Sequence, residues 1–281
     1  MRSNNLTLKR FYILISFIKF YFSAKTKYRV HSPFVFEFVN MVLEDDRNYY
    51  AFESVESLRK LLKQNNKNLE INDLGAGSLT TTKTSRTIKS IASTALSSPL
   101  SCKFLFKIVN FIKPKTILEM GTSLGISTLY QRFAALNANL ISLEGDDQIA
   151  DQAEQNFKRL DIDTIKIIRG HFDKTLPQAL QELEKLDYLF LDGNHRKKPT
   201  LDYFEECLKY SNESSVFVID DIYWSKEMTE AWKKIKAHPK VTLSIDLFFM
   251  GLVFFRQENK VKEHFKLLKA SWKPWEMGFF N

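Results

Sequence analysis

The chain has 281 residues, of which 44% are hydrophobic and 24 are Phe, so it can bury a sizeable core and is not disordered throughout. Its two cysteines, Cys102 and Cys207, show no C-x-x-C spacing, which excludes a disulfide framework and a cysteine zinc site and points to a reducing, cytoplasmic setting. The net charge of +8 is concentrated in residues 1–30, which carry Arg2, Lys9, Arg10, Lys19, Lys25, Lys27 and Arg29 with no acid, so any attraction to anionic membranes or nucleic acid falls to that segment.

Residues 11–22, FYILISFIKFYF, form the most apolar stretch. It is shorter than the roughly 20 apolar residues that span a bilayer, Lys19 interrupts it, and no small-residue cleavage site follows. Three readings are open: a helix packed on the body or on a second copy in a homo-oligomer, a helix on a membrane surface, or an export signal. Residues 31–43, HSPFVFEFVNMVL, predict a turn at Ser32-Pro33 and then an amphipathic helix with Pro33 at its first position. Another short helix is expected over 54–63. The polar run QNNKN at 64–68 marks the end of a helical N-terminal extension, residues 1–68.

Residues 69–114 read as a lid and helical lead-in. Within them 73–78, DLGAGS, comes close to a nucleotide-site glycine motif. The Ser and Thr that follow supply no apolar helix and residues 70–73 make a poor buried strand, so a lid or substrate-side loop is the better reading. Helices are expected at 88–96 and 101–112, separated by Pro99.

From residue 115 to the end, strand and helix alternate in the manner of a doubly wound α/β sheet. Strands are expected at 116–120, 140–144, 165–169, 188–191 and 216–219, with helices at 127–136, 148–160, 176–183, 201–210 and 225–236. Two further runs, 241–245 and 248–255, pair antiparallel at the sheet edge. Five parallel strands with a final hairpin differ from the six parallel strands of a dinucleotide domain.

The chemistry concentrates at the ends of these strands. Residues 116–130, TILEMGTSLGISTLY, read as strand, tight loop and helix: Glu119 ends the strand, Gly121 and Gly125 permit positive φ or close approach, and Ser127 or Thr128 is available to cap the helix. Such a turn offers backbone N–H groups to a ligand. Neither the dinucleotide nor the P-loop glycine spacing is present, and an acid before the turn suits a ligand ammonium group better than a diphosphate. Glu144 ends the next strand, where a carboxylate accepts both hydroxyls of a ribose. Asp192 follows the fourth strand, and Asp220 with Asp221 follows the fifth. Three oxygen ligands on neighbouring strand ends suit Mg²⁺. His195, three residues after Asp192, has a side chain able to take a hydroxyl proton at neutral pH.

The E-x-G-x-x-x-G-x-S spacing at Glu119, Gly121, Gly125 and Ser127 resembles motif I of the class I S-adenosylmethionine-dependent methyltransferases, and most of all the catechol O-methyltransferase group. The resemblance covers about residues 88–256. It implies a Rossmann-like methyltransferase sheet, mostly parallel with an antiparallel last strand. It also implies S-adenosylmethionine as cofactor, with Glu144 on its ribose, Ser127 on its methionine carboxylate, and His171, Phe172 and Asp173 in the loop beside its adenine. His171, Phe172 and Asp173 depart from the small polar residues common in that group, so position rather than contact type carries over. Asp192, Asp220 and Asp221 fall at the metal ligands, the last departing from the group's Asn, and His195 stands where the group has a lysine base.

The expected activity is metal-assisted methylation of an oxygen on a small hydroxylated acceptor, aromatic ones included, with Asp192 and His195 in the catalytic set and Asp192 also beside the cofactor. Trp224 suits a flat acceptor, and Asp246 lies where it could reach one. Two other readings carry less. A nucleic-acid methyltransferase would be motivated by the basic N-terminus, but the Asp192-Gly193-Asn194-His195 segment lacks the Pro-Pro-aromatic loop of amino methyltransferases. A non-catalytic, membrane-docked or partner-binding module would rest on residues 11–22 and the aromatic tail 272–280.

Overall fold

The computed structural model describes residues 2–72 and 83–277. In chain order its elements are α1 (Arg2–Ser23), α2 (Pro33–Phe38), α3 (Tyr50–Leu62), β1 (Asn68–Asn72), β2 (Lys83–Thr87), α4 (Ile88–Thr94) and α5 (Pro99–Ile112). The alternating region follows as β3 (Thr116–Met120), α6 (Ile126–Ala134), β4 (Asn139–Glu144), α7 (Asp147–Lys158), β5 (Ile165–Arg169), α8 (Phe172–Leu183) and β6 (Leu186–Leu191). It closes with α9 (Lys197–Leu208), β7 (Ser211–Asp220), α10 (Lys226–Ala237), β8 (Leu243–Asp246), β9 (Met250–Phe254) and β10 (Glu263–Lys266). The fold is of the Rossmann-like methyltransferase class, a mostly parallel sheet flanked by helices.

The chain divides into two compact units. One comprises residues 47–194 and 206–211; the other comprises 1–46, 195–205 and 212–281. The division after Asp46 differs from the boundary expected at 64–68.

In the first unit β6, β3, β4 and β5 lie in that order and all run parallel. The near-continuous apolar runs of β3, β4 and β6 fit strands covered on both faces, and β3 is buried from Ile117 onward. A cluster containing Phe52, Phe106, Leu129, Tyr130 and Phe157 ties α3, α5, α6 and α7 together. Residues 70–73 were expected to make a poor buried strand, yet Asn68–Asn72 pairs antiparallel with Lys83–Thr87. The period-two pattern explains this, because Leu69 and Ile71 are buried while Glu70 between them faces solvent. The DLGAGS segment falls outside the described residues.

In the second unit β7 and β8 each pair antiparallel with β9, which bears out the expected edge hairpin. β10 pairs parallel with β8. That strand was not expected, since EHFK is too short and polar to stand out from loop sequence. α1 packs here through Phe17, Phe20 and Tyr21 against Tyr223 and Phe248.

Candidate active site

The β3–α6 turn is built as its glycines require. Gly121 has φ 107°, and a Cβ there would stand 2.5 Å from the backbone oxygen of Asp192. Gly125 has φ 80° and is itself the N-cap of α6, with no side-chain cap. A Cβ on it would meet the Phe157 ring at 2.3 Å. Both positions therefore exclude side chains on conformational and steric grounds. Neither Ser127 nor Thr128 caps the helix; they lie in its first turn.

Their hydroxyls turn instead to Glu119. Its fully buried carboxylate accepts hydrogen bonds from Ser127 Oγ at 2.7 Å, Thr128 Oγ1, Gln131 Nε2 at 2.8 Å and Ser142 Oγ at 2.7 Å. Burial raises the pKa of Glu119, and the four donors oppose that rise. Glu119 thus braces the turn from inside, joining β3, β4 and α6, rather than presenting a free carboxylate to a ligand ammonium as expected. Ser127 likewise gives its hydroxyl to Glu119. The N–H groups of Gly121, Thr122 and Gly125 are also engaged, with Leu143 O and Thr122 O, so a ligand is left the N-terminal end of α6.

Glu144, at the end of β4, receives Ser123 N–H at 2.8 Å on one oxygen and Asp146 N–H at 3.1 Å on the other. Ser123 sits in the glycine turn with φ 49°, so Glu144 is tied directly to that turn. Burial pushes its pKa up to about 7 despite these N–H donors. A half-buried carboxyl poised there is held in place while retaining acceptor capacity. The N-cap role on α7 belongs to Asp146, whose side chain accepts from Ile149 N–H at 2.9 Å.

His171 is the N-cap of α8, and Phe172 and Asp173 form its first turn, so this helix begins earlier than the expected 176. Phe172 packs on Gly193, where a Cβ would clash with its ring at 2.4 Å. Asp192 accepts a hydrogen bond from Ser97 Oγ at 3.2 Å, a partner contributed by the loop between α4 and α5 that no motif in the sequence singles out. Asn194, with φ 52°, has its side-chain oxygen buried without a partner among the described residues.

The second unit carries its own charged group. His195 Nδ1 lies 4.0 Å from Asp221 Oδ2, and the His195 and Trp224 ring centroids are 6.3 Å apart. Asp221 is held with φ 54° by its own N–H to Phe249 O at 2.8 Å. Lys9, from α1, places its ammonium 3.1 Å from the centroid of the Trp224 ring. Burial lowers the pKa of His195; Asp221 opposes this and Lys9 reinforces it. Burial raises the pKa of Asp221 while His195 and Lys9 pull it down. A neutral imidazole at neutral pH follows, chemically a base. Lys9 was missed because it reads as one more charge in a basic segment. Asp246, considered for acceptor contact, is instead buried and receives Tyr223 OH at 2.7 Å and Phe248 N–H at 2.9 Å.

Among the described residues no group of three or more His, Cys, Asp and Glu side chains is arranged to hold a metal ion. Of the expected set, Asp192 belongs to the first unit and Asp220 and Asp221 to the second, where Asp221 has His195 and Lys9 as charge partners.

A parallel sheet whose first strand of the alternating region ends in a two-glycine turn, with an acid of the next strand bonded into that turn, resembles the cofactor end of the class I S-adenosylmethionine-dependent methyltransferase fold. Residues 118–222 match the methyltransferase domain family. The chain resembles the catechol O-methyltransferase-like members: it is 33% identical over 128 residues to a catechol O-methyltransferase of Niastella koreensis, covering 44% of this chain and 57% of that protein. It is 26% identical over 122 residues to a catechol O-methyltransferase of Mycobacterium tuberculosis, covering 43% and 54% respectively. The match thus spans little more than half the length of these relatives. The O-methyltransferase from Bacillus cereus, solved in complex with SAH, shares the fold with a TM-score of 0.52 at 21% identity, over 78% of this chain and 96% of that one.

Proposed function

We propose that the protein transfers the methyl group of S-adenosylmethionine to an oxygen of a small hydroxylated acceptor. The observation that carries this reading is the bond between Glu144 and the Ser123 N–H, which sets a carboxylate acceptor beside the Gly121–Gly125 turn. Glu144 would take the ribose hydroxyls, and the backbone N–H groups at the N-terminal end of α6 would take the methionine carboxylate. Phe172, packed on Gly193, offers an apolar wall for the adenine, with His171 and Asp173 at its rim. The cofactor supplies an electrophilic methyl on a sulfonium.

The chain's own residues would handle the proton. His195, kept neutral by burial and by Lys9, accepts the acceptor hydroxyl's proton on its imidazole, and Asp221 stabilises the imidazolium that results. The oxygen then forms its bond to the methyl carbon as the sulfur–carbon bond breaks, leaving S-adenosylhomocysteine. Trp224 suits an aromatic acceptor. No step is routed through a divalent cation. The nucleic-acid and non-catalytic readings are not favoured.

Calorimetric titration with S-adenosylmethionine, with and without Mg²⁺, tests the proposal on the native chain, Glu144→Ala and Asp192→Ala. Saturable binding lost in Glu144→Ala supports the cofactor site. A Mg²⁺ effect lost in Asp192→Ala would restore a metal to the mechanism. Absence of cofactor binding would sink the methyl-transfer reading.

A further inference from the structure

Among the described residues the outer face of α1 is exposed. Leu8, Phe11, Leu14, Ile18 and Phe22 are 46 to 77% exposed, and their spacing of three or four residues places them on one stripe of the helix. The opposite face is the one that packs. Phe17 and Phe20 lie on the Phe248 ring at centroid distances of 5.0 and 5.4 Å, and Tyr12 OH donates to Thr229 Oγ1 at 2.8 Å. The stripe is therefore a surplus apolar face, not the buried side of a loosely docked helix.

Its surroundings identify what it meets. At 100° per residue Arg10 and Lys19, both exposed, flank the stripe on either side. Beyond its C-terminal end the stripe continues into aromatic side chains. Tyr21 OH donates to Trp272 O at 2.7 Å, its ring centroid lies 6.3 Å from that of Trp275, and Trp272, Trp275 and Tyr28 are each about half exposed. Exposed Lys25 and Arg29 stand in the same segment, Arg29 reaching Glu276 at 3.5 Å. An apolar stripe with basic flanks and amphipathic aromatic rings at one end matches the layered polarity of a lipid headgroup region.

A second copy fits less well. A two-fold contact through α1 would bring two segments together that each carry seven cations and no acid. An anionic surface turns the same charges into attraction. No single described helix is long and apolar enough to cross a membrane, so the geometry is that of a helix lying on the surface.

We propose that the outer face of α1, with Tyr28, Trp272 and Trp275, docks on an anionic membrane surface, the stripe from Leu8 to Phe22 entering the boundary between headgroups and acyl chains. Docking needs no methyl transfer, so its test stands apart from that of the proposed activity.

The test is co-sedimentation of the full chain with vesicles of phosphatidylcholine alone and of phosphatidylcholine mixed with phosphatidylglycerol, at low and high salt. Two variants accompany it: Phe11→Ser combined with Ile18→Ser and Phe22→Ser, and Arg10→Glu combined with Lys19→Glu. All five positions are exposed, and circular dichroism checks that both variants fold. The expected result is salt-sensitive binding to the anionic vesicles only, weakened at least about tenfold in each variant, a loss of about 1.4 kcal/mol. Failure to bind anionic vesicles overturns the proposal, as does equal binding to neutral ones or undiminished binding by the folded triple variant. So would a native dimer that the triple variant splits while vesicle binding stays unchanged, which would assign the stripe to a second copy.

Discussion

The ammonium of Lys9 rests 3.1 Å from the centre of the Trp224 indole, so a residue near the start of the chain is fixed beside the loop that follows β7. Its electrostatic influence extends to His195 and Asp221, and it disfavours protonation of both: it opposes the imidazolium and favours the carboxylate. α1 is consequently part of the charge arrangement around His195. Burial lowers the pKa of Lys9 itself, while Asp221 pulls it back up.

Replacing Lys9 tests that arrangement. In Lys9→Met the cation that depresses the His195 pKa is gone, so the imidazole titrates at higher pH than in the native chain, and Lys9→Arg restores most of the difference. Histidine proton resonances followed through a pH titration measure this. If His195 titrates identically in all three proteins, Lys9 does not act on it.

Glu144 links cofactor binding to protons. With its pKa near 7 in the free protein, Glu144 is about half protonated at neutral pH, and ribose hydroxyls donating to it would favour the ionised form. Binding of S-adenosylmethionine near pH 7 is expected to release up to about half a proton, and Glu144→Gln to release none from this site. Calorimetry in buffers of different ionisation enthalpy reads the number. The sign for stability is the reverse of that for an ordinary paired acid: the raised folded-state pKa means the contribution of Glu144 is favourable below the unfolded value and declines as pH rises through about 7.

Glu119 is expected to matter to stability before chemistry. Glu119→Gln removes one acceptor oxygen and leaves buried hydroxyl or amide donors without a partner, at a cost of about 1–3 kcal/mol. Chemical denaturation measures it. Unchanged stability in the variant would mean that the hydroxyls of Ser127, Thr128 and Ser142 re-pair among themselves.

Gly121→Ala is expected to be costly at a position that looks exchangeable on size alone. The φ of 107° strains any side chain, by about 1–3 kcal/mol, and the added carbon also meets the Asp192 backbone. Both the denaturation midpoint and the affinity for S-adenosylmethionine should fall. A variant with native stability would show that the turn can relax without disturbing β6.

The sequence alone determined the alternating region well, because each of its elements announces itself locally. Runs such as Thr116–Met120 are apolar enough to be buried on both faces, and Gly121 and Gly125 mark the positive-φ turn without reference to anything distant. The edge hairpin was legible for the same reason. Tertiary structure decided the matters that depend on partners remote in sequence. Asn68–Asn72 became a strand only by pairing with Lys83–Thr87. Glu119 was read as a ligand contact because four donors from three other positions in α6 and one in β4 cannot be counted from its own motif. Lys9 and Ser97 acquired roles through contacts with Trp224 and Asp192 that lie far along the chain. Hydrophobic periodicity and glycine conformation are properties of neighbouring residues and can be read in a line, whereas the satisfaction of a buried carboxylate or the placement of a cation depends on the three-dimensional meeting of distant side chains.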